Sequence, residues 1–219
     1  MSAISAEQAK DLILASRLVA ILRLDDGGRA PGIADELVEA GVRAIEVTME
    51  TPGAAEALAT LSARWPGEVA IGAGTVLTLD DLEAARRAGA SFIVSPEVNR
   101  SVIEAARSAG LLVVPGALTA TEVLRAWRAG AQMVKVFPAG PVGPGYLRAL
   151  RGPLPGIPLV PTGGIEIEEI PGYLTAGAAA VAIGSCLVPR SGERNGLFER
   201  ARRAVQLASR SPSQASSSR

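Results

Sequence analysis

The chain has 219 residues, in which 22 Lys and Arg balance 22 Asp and Glu and histidine is absent. The charge balance argues against a nucleic-acid or anionic-membrane partner, and the missing histidine removes the commonest general base, Ser-His-Asp and Cys-His groups and nearly all zinc sites. Cys186 is the only cysteine, which excludes an internal disulfide and fits a reducing cytoplasm.

Residues 5–15 predict an opening helix lying over one end of the fold. Apolar or β-branched runs follow at 18–22, 43–48, 69–72, 91–94, 111–114, 132–136, 158–160 and 180–183. Five of these runs come directly after an Ala-Gly pair: Ala40-Gly41, Ala88-Gly89, Ala109-Gly110, Ala129-Gly130 and Ala176-Gly177. Glycine there suits the left-handed residue that closes a helix. Continuous apolar runs are what parallel strands covered on both faces present. Eight such strands alternating with helices predict an α/β protein, a single (β/α)8 TIM barrel over residues 1–208 with an extra N-terminal helix. An open doubly wound sheet is the alternative, but the turn Arg23-Leu24-Asp25-Asp26-Gly27-Gly28 lacks the Gly-x-Gly-x-x-Gly pattern. Residues 209–219 are serine-rich and read as a disordered tail. No run approaches the ~20 apolar residues of a membrane span. The opening residues, with Glu7 and Asp11, lack a signal peptide's basic head and apolar stretch. A soluble cytoplasmic protein is the expectation.

In such barrels chemistry sits at the C-terminal ends of the strands, so unusual residues there are the candidates. Lys135 stands out, being one of two lysines in a chain that otherwise meets its need for positive charge with arginine. It lies between Val134 and Val136, where an ammonium is costly to bury and the neutral amine is favoured. That amine attacks ketones, which arginine does not do. On the second strand, alternation turns Ile45 and Val47 towards the helices and Glu46 towards the interior; the same parity turns Lys135 inward. The two charges could meet near one rim, either as a buried structural ion pair or as a catalytic pair.

Thr162-Gly163-Gly164 and Gly184-Ser185 follow the last two strands, where these barrels commonly bind phosphate on backbone N–H groups. Tight turns alone would also account for the glycines. Cys186 reads as a core filler, Trp65 and Trp127 as packing residues, and Arg86-Arg87 and Arg202-Arg203 as solvated helix faces. Glu46 with Glu97 could form the acid pair of an epimerase or synthase, which leaves Lys135 without an explanation. A non-enzymatic scaffold on the same fold is the remaining reading.

Ile45-Glu46-Val47-Thr48, Ile71-Gly72-Ala73-Gly74-Thr75-Val76-Leu77, Val94-Ser95-Pro96, Pro115-Gly116, Lys135-Val136-Phe137-Pro138 and Pro161-Thr162-Gly163-Gly164-Ile165 occur in this order. Together they resemble the class I 2-keto-3-deoxy-6-phosphogluconate (KDPG) aldolases, a group with 4-hydroxy-2-oxoglutarate (KHG) and phosphogalactonate members. The likeness spans residues 18–187. It implies a lyase of carbohydrate metabolism that needs neither metal nor cofactor and assembles as a homotrimer. Lys135 would form an imine with the 2-oxo acid, and Glu46 would move protons. Thr75 would hold the pyruvate carboxylate, with Pro96 and Phe137 shaping its pocket. Gly163, Gly164, Gly184 and Ser185 would receive the phosphate of a phosphorylated aldehyde. One departure stands out: many relatives carry arginine after the second strand, where this chain has Glu50. Arg23, ending the first strand, is the candidate replacement in the substrate-binding set.

Overall fold

The structure is a computed structural model that describes residues 4–209. Most of the serine-rich tail lies outside the described residues, but Ser209 ends a helix and does not belong to it. The opening helix α1 (Ala6–Ser16) starts at a capping box, in which the Ser5 hydroxyl accepts from Gln8 N and the Gln8 side chain accepts from Ser5 N. Two donors that the first helical turn leaves orphaned are satisfied in this way.

The strands are β1 (Leu18–Leu22), β2 (Ala44–Thr48), β3 (Ala70–Gly74), β4 (Phe92–Val94), β5 (Leu112–Val114), β6 (Gly116–Ala117), β7 (Val134–Val136), β8 (Leu159–Pro161) and β9 (Val181–Ile183). Between them run α2 (Ala30–Glu39), α3 (Ala54–Arg64), α4 (Leu79–Arg87), α5 (Arg100–Ser108), α6 (Ala120–Arg128), α7 (Gly143–Arg151) and α8 (Ile170–Thr175), and α9 (Leu197–Ser209) follows the last strand. The glycines of all five Ala-Gly pairs have positive φ, as helix closure by a left-handed residue requires.

Every strand pairing is parallel, but the ladder is not the single ring of eight expected. A six-stranded sheet in the order β5-β4-β3-β2-β1-β9 curls as a half-barrel, and β6-β7-β8 form a second sheet. The division falls just past the expected fifth strand, at Pro115. Proline has no N–H to give a ladder, so β5 pairs with β4 and β6 pairs with β7. The Pro115 carbonyl still accepts from Lys135 N at 2.9 Å. At the far edges a bridge between Thr162 and Ala182 joins the ends of β8 and β9.

Two apolar layers result. Ile45, Val47, Val134 and Val136 pack outward against the helices. Val19, Ala44, Phe92, Leu112, Met133, Val160 and Ala182 fill the interior between the sheets, together with Ala9 and Ile13 of α1. A Cβ on Gly72 would stand 2.5 Å from the Phe92 ring, so the missing side chain makes room for the interior's aromatic residue. The strand parity read from the sequence is therefore the observed one, and Glu46 and Lys135 fall on the inner face. Buried Ile13 contributes roughly 1.5–3 kcal/mol by burial alone, and it closes the end of the interior away from the charged pair.

Candidate active site

Glu46 on β2 and Lys135 on β7 are 2% and 6% exposed. Burial raises the Glu46 carboxyl above its usual range, against the opposing pull of Lys135 and Arg23. Burial likewise lowers the Lys135 ammonium, with Arg23 adding to the effect and Glu46 opposing it. Desolvation is the leading cause for both groups, so the site moves each towards its neutral form. Lys135 Nζ lies 4.8 Å from the centre of the Phe137 ring. That contact gives any charge remaining on the amine a polarisable face.

Above the pair opens a cleft of about 280 Å³. Arg23, Phe137, Gly163, Gly164, Gly184, Ser185 and Arg190 border it along with Glu46 and Lys135. Beneath the pair the space narrows sharply between Ile13, Phe92, Val114 and Met133. The reacting groups thus have solvent and substrate access from one side only.

Arg23 bridges two neighbours, with Nη1 2.5 Å from Glu50 Oε1 and Nη2 donating to Thr75 Oγ1 at 3.3 Å. The position without the expected arginine is therefore occupied by a carboxylate that holds a different arginine in place. Thr75 has φ 56°, a costly conformation for a β-branched residue. It reaches the cleft through Arg23 and does not itself border it. Pro96 stands further back; its carbonyl packs on Gly116, leaving no room there for a Cβ.

The two phosphate turns come together. Gly163 and Gly164 have φ 86° and 70°, and a Cβ on Gly163 would meet the Phe137 ring at 2.8 Å. Among the described residues, the N–H groups of Gly163, Gly164, Gly184 and Ser185 have no protein acceptor. Such unpaired donors at a cleft wall are an anion's natural partners.

Several contributors went unread in the sequence. Gly74 supports Glu46, because a Cβ there would run into Glu46 Oε1. Gly140 gives way to the Gly164 carbonyl in the same manner. Arg190 joins the cleft from a loop with no motif around it. A glycine within a strand is a signal for Gly74, since β-strands otherwise disfavour it; no comparable signal marks Arg190. The alternative acid pair is not assembled, because Glu97 is exposed and does not border the cleft. Cys186 donates its thiol to Ile165 O at 3.2 Å, and burial pushes its pKa up to about 11, far from a reactive thiolate. Among the described residues no three His, Cys, Asp or Glu are grouped to hold a metal ion, and no helix is long and apolar enough to cross a membrane.

The model of the KDPG and KHG aldolases matches residues 10–203. The 2-dehydro-3-deoxy-6-phosphogalactonate aldolase of Escherichia coli (strain K12) is 34% identical over 197 residues, covering 86% of this chain and 96% of that protein. The 2-dehydro-3-deoxy-phosphogluconate aldolase of Treponema pallidum (strain Nichols) is 36% identical over 174 residues, 79% of this chain and 82% of that one. Among solved structures, the KDPG aldolase of Legionella pneumophila with pyruvate captured as a covalent carbinolamine superposes with a TM-score of 0.79. It is 30% identical, over 91% of this chain and 96% of that one. Family model, relatives and solved structure agree, and the chain belongs to the KDPG and KHG aldolase family, whose members are lyases.

Proposed function

We propose that the protein is a class I aldolase that cleaves 2-keto-3-deoxy-6-phosphogluconate to pyruvate and glyceraldehyde 3-phosphate, with 4-hydroxy-2-oxoglutarate as a second substrate giving pyruvate and glyoxylate. The observation that carries this reading is the buried Lys135 amine beside Glu46 at the floor of a one-sided cleft. Neutral Lys135 adds to the C2 carbonyl, giving a carbinolamine that loses water to form a protonated imine. Glu46 supplies and recovers protons in these steps, burial having raised its pKa so that it holds a proton more readily than an exposed carboxylate. Removal of the proton on the C4 hydroxyl then breaks C3–C4, and the electron pair flows into the imine. The aldehyde leaves, the resulting enamine takes a proton at C3, and water releases pyruvate from Lys135. The carbinolamine captured in the Legionella pneumophila relative supports the first of these steps.

The relatives divide between phosphogluconate and phosphogalactonate names at nearly equal identity. The phosphogalactonate acid is the second reading, supported by the 34% identical phosphogalactonate aldolase of Escherichia coli, and in either case Arg23 stands in as the carboxylate cation. Thr75 steadies Arg23 on the substrate carboxylate, Phe137 walls the pyruvate half with Pro96 behind it, and the four unpaired N–H groups take the phosphate. No cofactor enters the scheme. Residues 1–208 act as one unit, the two sheets making one closed eight-unit barrel across the Pro115 break and the Thr162–Ala182 bridge. The reading includes a homotrimer working in the cytoplasm.

Lys135→Arg tests the reading, because it keeps the charge and removes the imine. Pyruvate release from each phosphorylated acid, followed by a coupled reductase, is expected to fall at least about 1,000-fold. A chelator is expected to leave the wild-type rate unchanged. Retained activity in Lys135→Arg, or loss of wild-type activity on chelation, would rule the imine route out.

A further inference from the structure

Four backbone N–H groups can hold a phosphate dianion but carry no net charge to set against it, and a cation beside them strengthens the grip. Of the cations bordering the cleft, Lys135 is needed at C2, and Arg23 is held by Glu50 and Thr75. The cation left is Arg190, on the loop that continues from Gly184 and Ser185. Its Nε is 3.3 Å from Asp25 Oδ1, with side chains 61% and 68% exposed. Separately, the Arg190 carbonyl accepts from Asp25 N at 3.0 Å. The loop is therefore tied down through its backbone, and the guanidinium is held only by a long, solvated ion pair. Pairs of that kind contribute little and exchange readily. A guanidinium also offers phosphate two parallel N–H bonds, a better match than one oxygen at 3.3 Å.

We propose that Arg190 is a specificity-determining residue, an exchangeable cation that leaves Asp25 and grips the distal phosphate of the substrate beside the two glycine turns. This rests on the aldolase reading above. Asp25 keeps the guanidinium at the cleft mouth while the site is empty and yields it when a dianion arrives. The residue then favours phosphorylated over unphosphorylated 2-keto-3-deoxy acids without touching the carbon–carbon bond.

The test measures kcat/KM for one 2-keto-3-deoxy acid with and without its 6-phosphate, in the wild type, Arg190→Ala, Arg190→Lys and Asp25→Asn. Arg190→Ala is expected to reduce the preference for the phosphorylated acid by about 10- to 100-fold, mainly through KM. Arg190→Lys should recover part of that preference, having charge without the fork. Asp25→Asn should lower KM for the phosphorylated acid, by no more than about fivefold. Equal losses on both acids in Arg190→Ala, or a rise in KM in Asp25→Asn matching that of Arg190→Ala, would make the pair a structural tie and overturn the proposal. Borohydride trapping of pyruvate on Lys135 in Arg190→Ala separates the two ideas. An intact adduct with an unchanged preference sinks Arg190 alone, whereas no adduct in any variant, wild type included, sinks the aldolase reading and this inference with it.

Discussion

The interior has two ends built from the same strands and opposite in character. At the α1 end, Ala9, Ile13, Phe92, Leu112 and Met133 close together as an apolar plug. At the other end, Glu46 and Lys135 project from the same inner faces beneath a cleft bordered by glycines and arginines. Only two positions along the chain separate Ala44 from Glu46 and Met133 from Lys135. The plug denies water a second route to the pair and helps keep the local dielectric low, which moves both charges towards neutrality. The open end gives up packing for access, and its glycines make room for Glu46 and the phosphate turns instead of filling space.

If the two ends divide the work in this way, substitutions at the open end should cost activity, and those at the plug should cost stability. Glu46→Gln is expected to have the largest effect of the set, lowering kcat by about 100- to 10,000-fold. It also removes the attraction that opposes deprotonation of Lys135. The Lys135 pKa should fall further, so pyruvate trapping in Glu46→Gln should persist to lower pH than in the wild type; a shift upward would contradict the coupling. Gly74→Ala puts a methyl where Glu46 Oε1 lies. Activity is expected to drop about 100-fold with a stability loss of about 1–3 kcal/mol, read by steady-state kinetics and denaturant melts.

Arg23→Ala should raise KM for the 2-oxo acid about tenfold. Arg23 lowers the pKa of both buried groups. Without it both should rise, moving the acid limb of kcat/KM to higher pH. An unchanged KM would mean that Arg23 is not the carboxylate clamp. Ile13→Ala should barely touch chemistry, with kcat within about threefold, yet cost about 2–5 kcal/mol in denaturant unfolding. A large loss of kcat there with no loss of stability would erase the distinction between the two ends.

The pair at the centre was legible because strand alternation is strict. Once residues 43–48 and 132–136 read as strands, the inward direction of Glu46 and Lys135 followed from their neighbours. The helix ends were legible for a similar reason, each Ala-Gly pair marking a left-handed closure. Pro115 was visible in the sequence, but its effect on the ladder went unread, since a missing N–H matters only when a specific partner strand is known. Gly74 and Gly140 serve by lacking a side chain where another residue passes; a glycine in a strand marks Gly74 locally, but neither position shows in the sequence which residue passes it. Arg190 reaches the cleft only because its loop folds back beside Asp25, a contact between residues at opposite ends of the chain. In the sequence Glu50 stood out only as occupying a position where many relatives carry arginine; the structure makes it the anchor of Arg23.

The central claim is a covalent bond between Lys135 and a 2-oxo acid. Borohydride reduction in the presence of pyruvate, followed by peptide mass analysis, tests it most directly, and Lys10 on α1, the only other lysine, serves as an internal control. The account predicts a reduced pyruvate adduct confined to the peptide carrying Lys135. A folded protein with no adduct, or with one carried equally by the Lys10 peptide, would contradict it.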